Sequence, residues 1–114
     1  MLKKTNRPFY LNNKEKAEIF DTSLFRIKIY LNKEGNKDHM FVISKKTAQR
    51  AVDRNKTKRV LKKAIKSFIK NFKPGISIIV IAKTILEFKD EEDILLQMGK
   101  IFKKAGILNE NINY

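Results

Sequence analysis

Most of the positive charge in this chain lies in one segment, residues 45–73, which also has the apolar spacing of an amphipathic helix. The segment has twelve Lys or Arg and one acid, a net charge of +11. Residues 1–44 carry a net +4, from nine cations and five acids, and residues 74–114 carry a net −1, from five and six. Such a helix must bury one side and leave its cationic side in solvent, where a polyanion is the natural partner.

At 100° per residue, the apolar and cationic residues separate onto two sides of a helix predicted over residues 48–72. The apolar arc holds Leu61, Ala64, Ile65, Phe68, Ile69 and Phe72. The opposite arc holds Asn55, Lys56, Arg59, Lys62, Lys63, Lys66, Lys70 and Lys73. Arg54 and Lys58 lie in or beside the apolar arc. The row of cations extends over about 25–30 Å, enough to follow a phosphodiester backbone.

Two other interpretations of this helix stay open. A Lys-rich helix is often only a solvated surface, although such helices usually mix charge signs and this segment has a single acid, Asp53. An amphipathic cationic helix also suits a membrane surface, although its apolar arc matches in length the strands that need covering. Because acids are nearly absent, we expect a nucleic acid as the partner.

The segments before the basic helix predict a short helix and a β-hairpin. Asn13 is a plausible N-cap for a helix over Lys14–Asp21. Phe25–Leu31 alternates apolar and polar residues, which indicates a half-buried strand. A turn over Asn32–Asp38 would then return the chain in a second strand, His39–Ser44, antiparallel to the first. A further short strand near the start of this region is compatible with the pattern.

The segments after the basic helix predict a buried strand and a last helix. Pro74-Gly75 should end the basic helix, and Ile76–Ala82 is apolar on both faces, as a mid-sheet strand would be. Asp90 is expected to cap a helix that ends at Gly106. The whole pattern predicts one α/β domain over residues 1–114, with three helices on a small sheet and with residues 1–12 and 109–114 flexible.

The sequence offers no protein-based active site. His39 has no cysteine or paired acids nearby, Ser44 has no partner base, and no Gly-rich phosphate loop is present. The acids of residues 90–93 resemble a metal site, but helix capping explains them more simply. No cysteine, secretory leader or membrane-spanning run occurs, so we expect no bound cofactor, no membrane contact and a cytoplasmic location.

The polar face of the first predicted strand suits single-stranded RNA. Tyr30 alternates with Arg26 and Lys28 on that face, so its ring could stack on a base while the cations hold phosphates. An ordinary half-exposed strand aromatic remains an equal alternative for Tyr30. For Phe20, a core contact of the first helix is the simpler interpretation.

Three motifs in order give the chain a family resemblance. Ser44-Lys-Lys46, then Arg54-Asn-Lys-Thr-Lys-Arg59, then the IIVIAK run over residues 78–83 resemble the bacterial ribonuclease P protein subunit, whose RNR signature is the second motif. The resemblance covers roughly residues 6–108. It implies an α/β sandwich like the second domain of ribosomal protein S5, of order α-β-β-(β)-α-β-α, with a left-handed βαβ crossover.

The resemblance also implies a function. The protein would bind the catalytic RNA of ribonuclease P and the 5′ leader of precursor tRNA, with the essential Mg²⁺ held through the RNA and no DNA partner. By position, the ribozyme-contacting residues are Lys45, Lys46, Arg50, Arg54, Asn55, Lys56, Lys58, Arg59, Lys62, Lys63 and Lys66. The leader-contacting residues are Phe20, Lys28, Tyr30 and Ser44. The alternative is a non-enzymatic RNA-binding protein, of ribosomal or RNA-chaperone type, on the same fold.

The chain departs from the family pattern at a few positions. Asp38-His-Met40 stands where members commonly have Arg-x-Gly, and Lys62 where an Arg is usual. The aromatic residue usual near Lys16 or Ala17 is missing. A lysine keeps the charge of an arginine but loses its bidentate geometry toward phosphate.

Overall fold

A computed structural model describes residues 17–31, 35 and 37–109 of the chain. Its elements are β1 (Glu18–Asp21), β2 (Phe25–Leu31), β3 (Lys37–Val42), α1 (Ala51–Ile69), β4 (Ile76–Ala82), a 3₁₀ turn (Phe88–Asp90) and α2 (Glu91–Ala105). The predicted mixed α/β class is confirmed, and two strands, Phe25–Leu31 and Ile76–Ala82, have the predicted bounds.

The four strands form one sheet in the order β1–β2–β4–β3. β1 pairs antiparallel with β2, β2 pairs antiparallel with β4, and β3 pairs parallel with β4. β4 is paired along both edges, and its side chains are buried on both faces, with Ile78 and Val80 on one face and Ser77 and Ile79 on the other. The helix α1 makes the crossover between parallel strands β3 and β4; the left-handed sense of that crossover stays a prediction.

Both helices cover the same face of the sheet. The register aligns Ile27 of β2 with Val80 of β4, so their side chains share that face. The two helices contribute Leu61, Ala64, Ile65 and Phe68 from α1 and Ile94, Met98, Ile101 and Phe102 from α2. All of these side chains are buried in one cluster, so the apolar arc of α1 forms the centre of the core. The polar arc of α1 is left in solvent as a result.

The predicted hairpin between β2 and β3 is wrong. These strands are separated by β4, which pairs with both of them. An alternating pattern specifies which face of a strand is buried, but it does not specify the neighbouring strand. The third strand also ends at Val42, before Ser44, because the backbone turns there: the amides of Thr47 and Ala48 donate to the Ser44 carbonyl, both at 3.1 Å.

The predicted first helix is wrong over Glu18–Asp21, which forms β1; Lys14–Lys16 and Asn13 lie outside the described residues. Thr22 explains the strand. Its Oγ1 accepts from the amides of Leu24 and Phe25 at 3.1 and 3.0 Å, making a tight reversal that returns the chain beside itself. The residues before the reversal therefore pair with β2, and local helix propensity is overridden by the ladder.

Helix α1 is shorter at both ends than predicted. At its start, the carbonyls of Ala48 and Gln49 accept from the Arg54 side chain. At its end, Lys73 donates its amide to the Ile107 carbonyl at 2.7 Å, and Asn109 donates to Asn71 at 2.9 Å. These hydrogen bonds therefore take the place of the helical bonds that were predicted at the two ends of α1. Residues 1–12 and 110–114 lie outside the described ranges, so their predicted flexibility stays a prediction.

Helix α2 ends at Gly106, as predicted, in a left-handed conformation with φ of 71°. Its start differs in detail from the prediction. Asp90 is at the N-cap, but its carboxylate accepts from the Glu87 amide at 2.9 Å, which closes a capping box around the preceding 3₁₀ turn. Glu87 and Asp90 therefore cap the 3₁₀ turn that leads into α2.

Gly99 inside α2 and Gly106 directly after it should respond oppositely to the same substitution. Gly99 is inside the helix, and a Cβ there would lie 3.8 Å from the Phe68 ring, an ordinary contact. We expect Gly99→Ala to raise the free energy of unfolding by about 0.5–1 kcal/mol, because alanine loses less backbone entropy. The measurement is urea denaturation followed by circular dichroism.

The matched variant is Gly106→Ala, where a side chain must adopt positive φ. It should lower the free energy of unfolding by roughly 1 kcal/mol. Equal effects at the two sites would contradict the described helix end.

Candidate RNA-binding surface

The polar side of α1 is a continuous cationic surface. Its exposed side chains are Asn55, Lys58, Arg59, Lys62, Lys63, Lys66 and Lys70, with Lys56 half-buried at one flank. The 19 residues of the helix span about 28 Å at 1.5 Å per residue. We call this set, together with Lys45, Lys46 and Arg50 of the preceding turn, the cationic ridge.

The protein's own carboxylates neutralise little of the cationic ridge. Arg50 donates through Nε to Asp53 at 2.9 Å, and Lys63 lies 3.5 Å from Glu91. Over residues 17–31, 35 and 37–109, these are the ion pairs found for ridge residues. Both cations remain accessible, with 75% and 62% of their side-chain surface exposed. Exposed pairs are worth little and are screened by salt, so a phosphate could compete for these cations.

A tight turn before α1 presents Lys45 and Lys46. Ser44 holds one side of the turn: its Oγ and its carbonyl oxygen both accept from the Thr47 amide at 3.1 Å. Thr47 Oγ1 in turn donates to the carbonyl of Ala82 at 3.5 Å, which joins the turn to the end of β4. The two exposed lysines are therefore carried on a constrained backbone beside the first turn of the helix.

Arg54 differs from the other cations of the motif. Its Nη1 donates to the carbonyls of Ala48 and Gln49 at 3.0 and 2.9 Å, and the residue is half-buried. Its angular position, inside the apolar arc, explains this orientation, since the side chain starts on the core side of the helix. The RNxxKR motif thus contains both ridge residues and a residue that binds the protein's own backbone.

Thr57, at the centre of the same motif, was missed by sequence reasoning. It is fully buried, and its Oγ1 accepts from the Leu86 amide at 3.1 Å. The hydrogen bond joins α1 to the loop that follows β4. The signal was present: a threonine in the apolar arc of a helix must find a partner for its hydroxyl.

The sheet face away from the helices carries the other predicted residues. Lys28 and Tyr30 of β2 share this face and are half-buried, and Arg26 lies on it too. Phe20 does not join them. It is paired in register with Ile27 and packs on the helix-covered core, so its ring lies on the opposite side of the sheet. Ser44 lies beyond the end of β3, in the turn described above.

Arg26 is engaged with a carboxylate at the edge of this face. Asp21 accepts from Arg26 Nε at 2.8 Å and from Lys83 Nζ at 2.7 Å. Hydrogen bonds from these two cations lower the pKa of Asp21 to about 2. Lys83 also donates to the Thr22 carbonyl at 2.9 Å, so the cluster fixes the β1–β2 reversal to the end of β4. Lys28 is therefore the cation of β2 that is outside this cluster.

His39 lies at the β3 side of the cationic ridge. Its ring contacts Phe41 edge to face, with centroids 5.6 Å apart. Burial of the ring, together with the charge of Lys62, lowers its pKa, so the imidazole is neutral at pH 7. Within the described part of the chain, no group of three His, Cys, Asp or Glu residues is placed to hold a metal ion. In the same ranges no helix has the length and apolarity needed to cross a bilayer.

The fold and the surface define a small mixed α/β protein with a helix layer on one sheet face and an exposed cationic helix. A family model described as Ribonuclease P matches residues 4–106. The chain therefore belongs to the ribonuclease P protein family, as the resemblance predicted. A search of curated proteins gave no match.

Solved structures agree on the fold. The ribonuclease P protein of Staphylococcus aureus is 23% identical with a TM-score of 0.66, covering 92% of this chain and 95% of that chain. The Thermotoga maritima ribonuclease P protein, in complex with 1-(4-fluorophenyl)-2-thiourea, is 21% identical with a TM-score of 0.64, covering 81% and 91%. At these identities the likeness shows the fold alone.

The Asp21 cluster makes a testable electrostatic prediction. NMR titration of the Asp21 carboxyl should give a midpoint near pH 2, and Arg26→Gln should move it up toward the ordinary range near 3.8. Because the folded pKa is lowered, the stabilisation is present above about pH 4 and is lost as the pH falls toward 2.

Lys28→Gln is the control, since it removes a cation from the same strand that does not bond to Asp21. It should leave the midpoint unchanged. A midpoint near 3.8 in the unmodified protein would contradict the cluster.

Proposed function

We propose that this protein is the protein subunit of ribonuclease P and that the cationic ridge binds the catalytic RNA. The contacting residues are Lys45, Lys46, Arg50, Asn55, Lys56, Lys58, Arg59, Lys62, Lys63 and Lys66. The observation that carries the proposal is the row of exposed cations, about 28 Å long, on a chain of this family. Within the described residues, Asp53 and Glu91 are the carboxylates that pair with it. Lysines in this row attract phosphates as point charges, whereas Arg59 adds the geometry for bidentate contact.

In this proposal the protein supplies no catalytic group. The RNA subunit would hold the Mg²⁺ ions and carry out the endonucleolytic cleavage that removes the 5′ leader of precursor tRNA. The protein would neutralise phosphates that otherwise repel one another, so the holoenzyme should work at lower Mg²⁺ than the RNA alone. A cytoplasmic location follows from this role in tRNA maturation, with no DNA or membrane partner.

The sheet face opposite α1 and α2 is proposed to contact the leader. Lys28 would hold a phosphate and Tyr30 would stack on an unpaired base, a combination suited to single-stranded RNA. Ser44, in the turn after β3, would contribute a hydroxyl. Phe20 is left out of this surface because its ring packs on the other side of the sheet.

The competing function is a non-enzymatic RNA-binding protein of the same fold. It would bind RNA through the same ridge, because phosphate contacts carry little sequence information. The two functions differ in the substrate: only a ribonuclease P subunit should favour tRNA that carries a 5′ leader and should stimulate its cleavage.

Cleavage of precursor tRNA by a bacterial ribonuclease P RNA at low Mg²⁺ tests the main proposal. We expect the unmodified protein to stimulate cleavage and Arg59→Gln to reduce the stimulation, because a phosphate contact is lost. The slope of log affinity for the RNA against log salt should fall by about one. Lys104→Gln, which removes a cation from the last turn of α2, is the charge-matched control and should change neither quantity. Cleavage no faster than with RNA alone would refute the proposal.

Affinities for precursor and mature tRNA test the leader surface. In the holoenzyme, Tyr30→Ala should weaken precursor binding by about 1–3 kcal/mol, the value of one stacked base, and leave mature tRNA binding unchanged. Leu96→Ala removes an exposed apolar side chain from α2 and should affect neither. An equal loss for both tRNAs in Tyr30→Ala would show a role unconnected with the leader.

A further inference from the structure

We propose that Arg54 is a positioning residue: its guanidinium holds the Lys45–Lys46 turn in place against α1, so that these two lysines meet the RNA already ordered. The inference rests on the proposed RNA-binding function of the ridge. It divides the RNxxKR motif into residues that face the partner and one that acts through other residues.

The Arg54 side chain is hydrogen-bonded to the backbone just before the helix. One terminal nitrogen, Nη1, donates to two consecutive carbonyls, those of Ala48 and Gln49, at 3.0 and 2.9 Å. These carbonyls directly precede α1, and within the described residues no other hydrogen bond is found for either of them. Hydrogen bonds from a charged donor are stronger than those from a neutral one. The guanidinium therefore ties the two residues before the N-cap to the first turn of the helix.

The turn that carries Lys45 and Lys46 lies between two hydrogen-bonded ends. Upstream, Ser44 and Thr47 tie the turn to the Ala82 carbonyl of β4. Downstream, Arg54 ties residues 48 and 49 to the first turn of the helix. Ala48 between them is buried. Lys45 and Lys46 are exposed on the backbone that these two contacts enclose.

The N-terminal end of α1 has no side-chain cap. Arg50, at the N-cap, makes no side-chain capping bond, and its side chain is directed to Asp53. Without Arg54, the turn would be joined to the helix only by the backbone and by the exposed Arg50–Asp53 ion pair, which is worth little. The free-energy cost of ordering the turn would then weaken RNA binding. Preorganisation of the turn in the free protein removes that cost.

Arg54→Met tests the proposal, because methionine keeps much of the aliphatic stem and removes every donor. Hydrogen exchange of the free protein is the first measurement. The amides of Thr47 and Ala48 should exchange roughly tenfold faster than in the unmodified protein, corresponding to the loss of one or two hydrogen bonds. Arg59→Met, the same substitution at an exposed ridge residue, should leave these amides unchanged. Unchanged exchange in Arg54→Met overturns the proposal without involving RNA.

A double-mutant cycle with ribonuclease P RNA is the second measurement. Arg54→Met should weaken RNA binding about fivefold to tenfold, as expected when about 1–1.4 kcal/mol of ordering cost is added. In a background of Lys45→Gln with Lys46→Gln, the same substitution should cost almost nothing, because the turn no longer carries contacts. The salt slope should be unchanged by Arg54→Met and should fall by about one in Arg59→Met.

Additive losses, with a reduced salt slope for Arg54→Met, would show that Arg54 itself contacts phosphate and would overturn the proposal. If Arg54→Met does not fold, Arg54→Lys takes its place. A single ammonium should bind the two carbonyls less tightly than a guanidinium does, so the amides of Thr47 and Ala48 should exchange faster by a smaller factor. Unchanged exchange in Arg54→Lys would overturn the proposal. If the unmodified protein binds no ribonuclease P RNA, the proposed function fails, while hydrogen exchange still decides whether Arg54 holds the turn.

Discussion

The packing of the apolar side of α1 on the sheet is the interaction on which the rest of this structure depends. Leu61, Ile65 and Phe68 are buried against β2, β4 and α2, and truncating any one of them would cost several kcal/mol, about 2–5. This burial fixes the rotation of the helix about its axis. Because the rotation is fixed, the cations on the opposite arc face solvent together, and in the described part of the chain only Asp53 and Glu91 pair with cations of the ridge.

The basic segment combines two kinds of polar residue that look alike in sequence. Lys58, Arg59 and Lys62 are exposed and face outward, where a phosphate backbone could reach them. Arg54 and Thr57 face inward and satisfy backbone groups of the turn before the helix and of the loop after β4. The inward-facing pair joins the helix to the segments before and after it, so the motif contains structural residues beside its exposed cations.

Periodicity predicted the elements better than their pairing. The alternation of Phe25–Leu31 and the apolar run of Ile76–Ala82 gave correct strand bounds, because burial of a strand face is a local property of the pattern. The hairpin partner of β2 was wrong, since any neighbouring strand with a matching apolar face would satisfy the same alternation. The helix predicted over Glu18–Asp21 was wrong for a related reason. The Thr22 reversal brings these four residues beside β2, and the hydrogen-bonded ladder with β2 outweighs their local preference for a helix.

The sequence by itself determined the class of fold, the family, the amphipathic basic helix and the sign and extent of its exposed charge, since charge and 3.6-residue spacing are written along the chain. Only the tertiary structure decided that β4 lies between β2 and β3, that Phe20 is on the core side of the sheet, and that the Arg54 guanidinium bonds to the Ala48 and Gln49 carbonyls. These outcomes depend on which distant segments meet in space, and a one-dimensional pattern leaves those meetings unspecified.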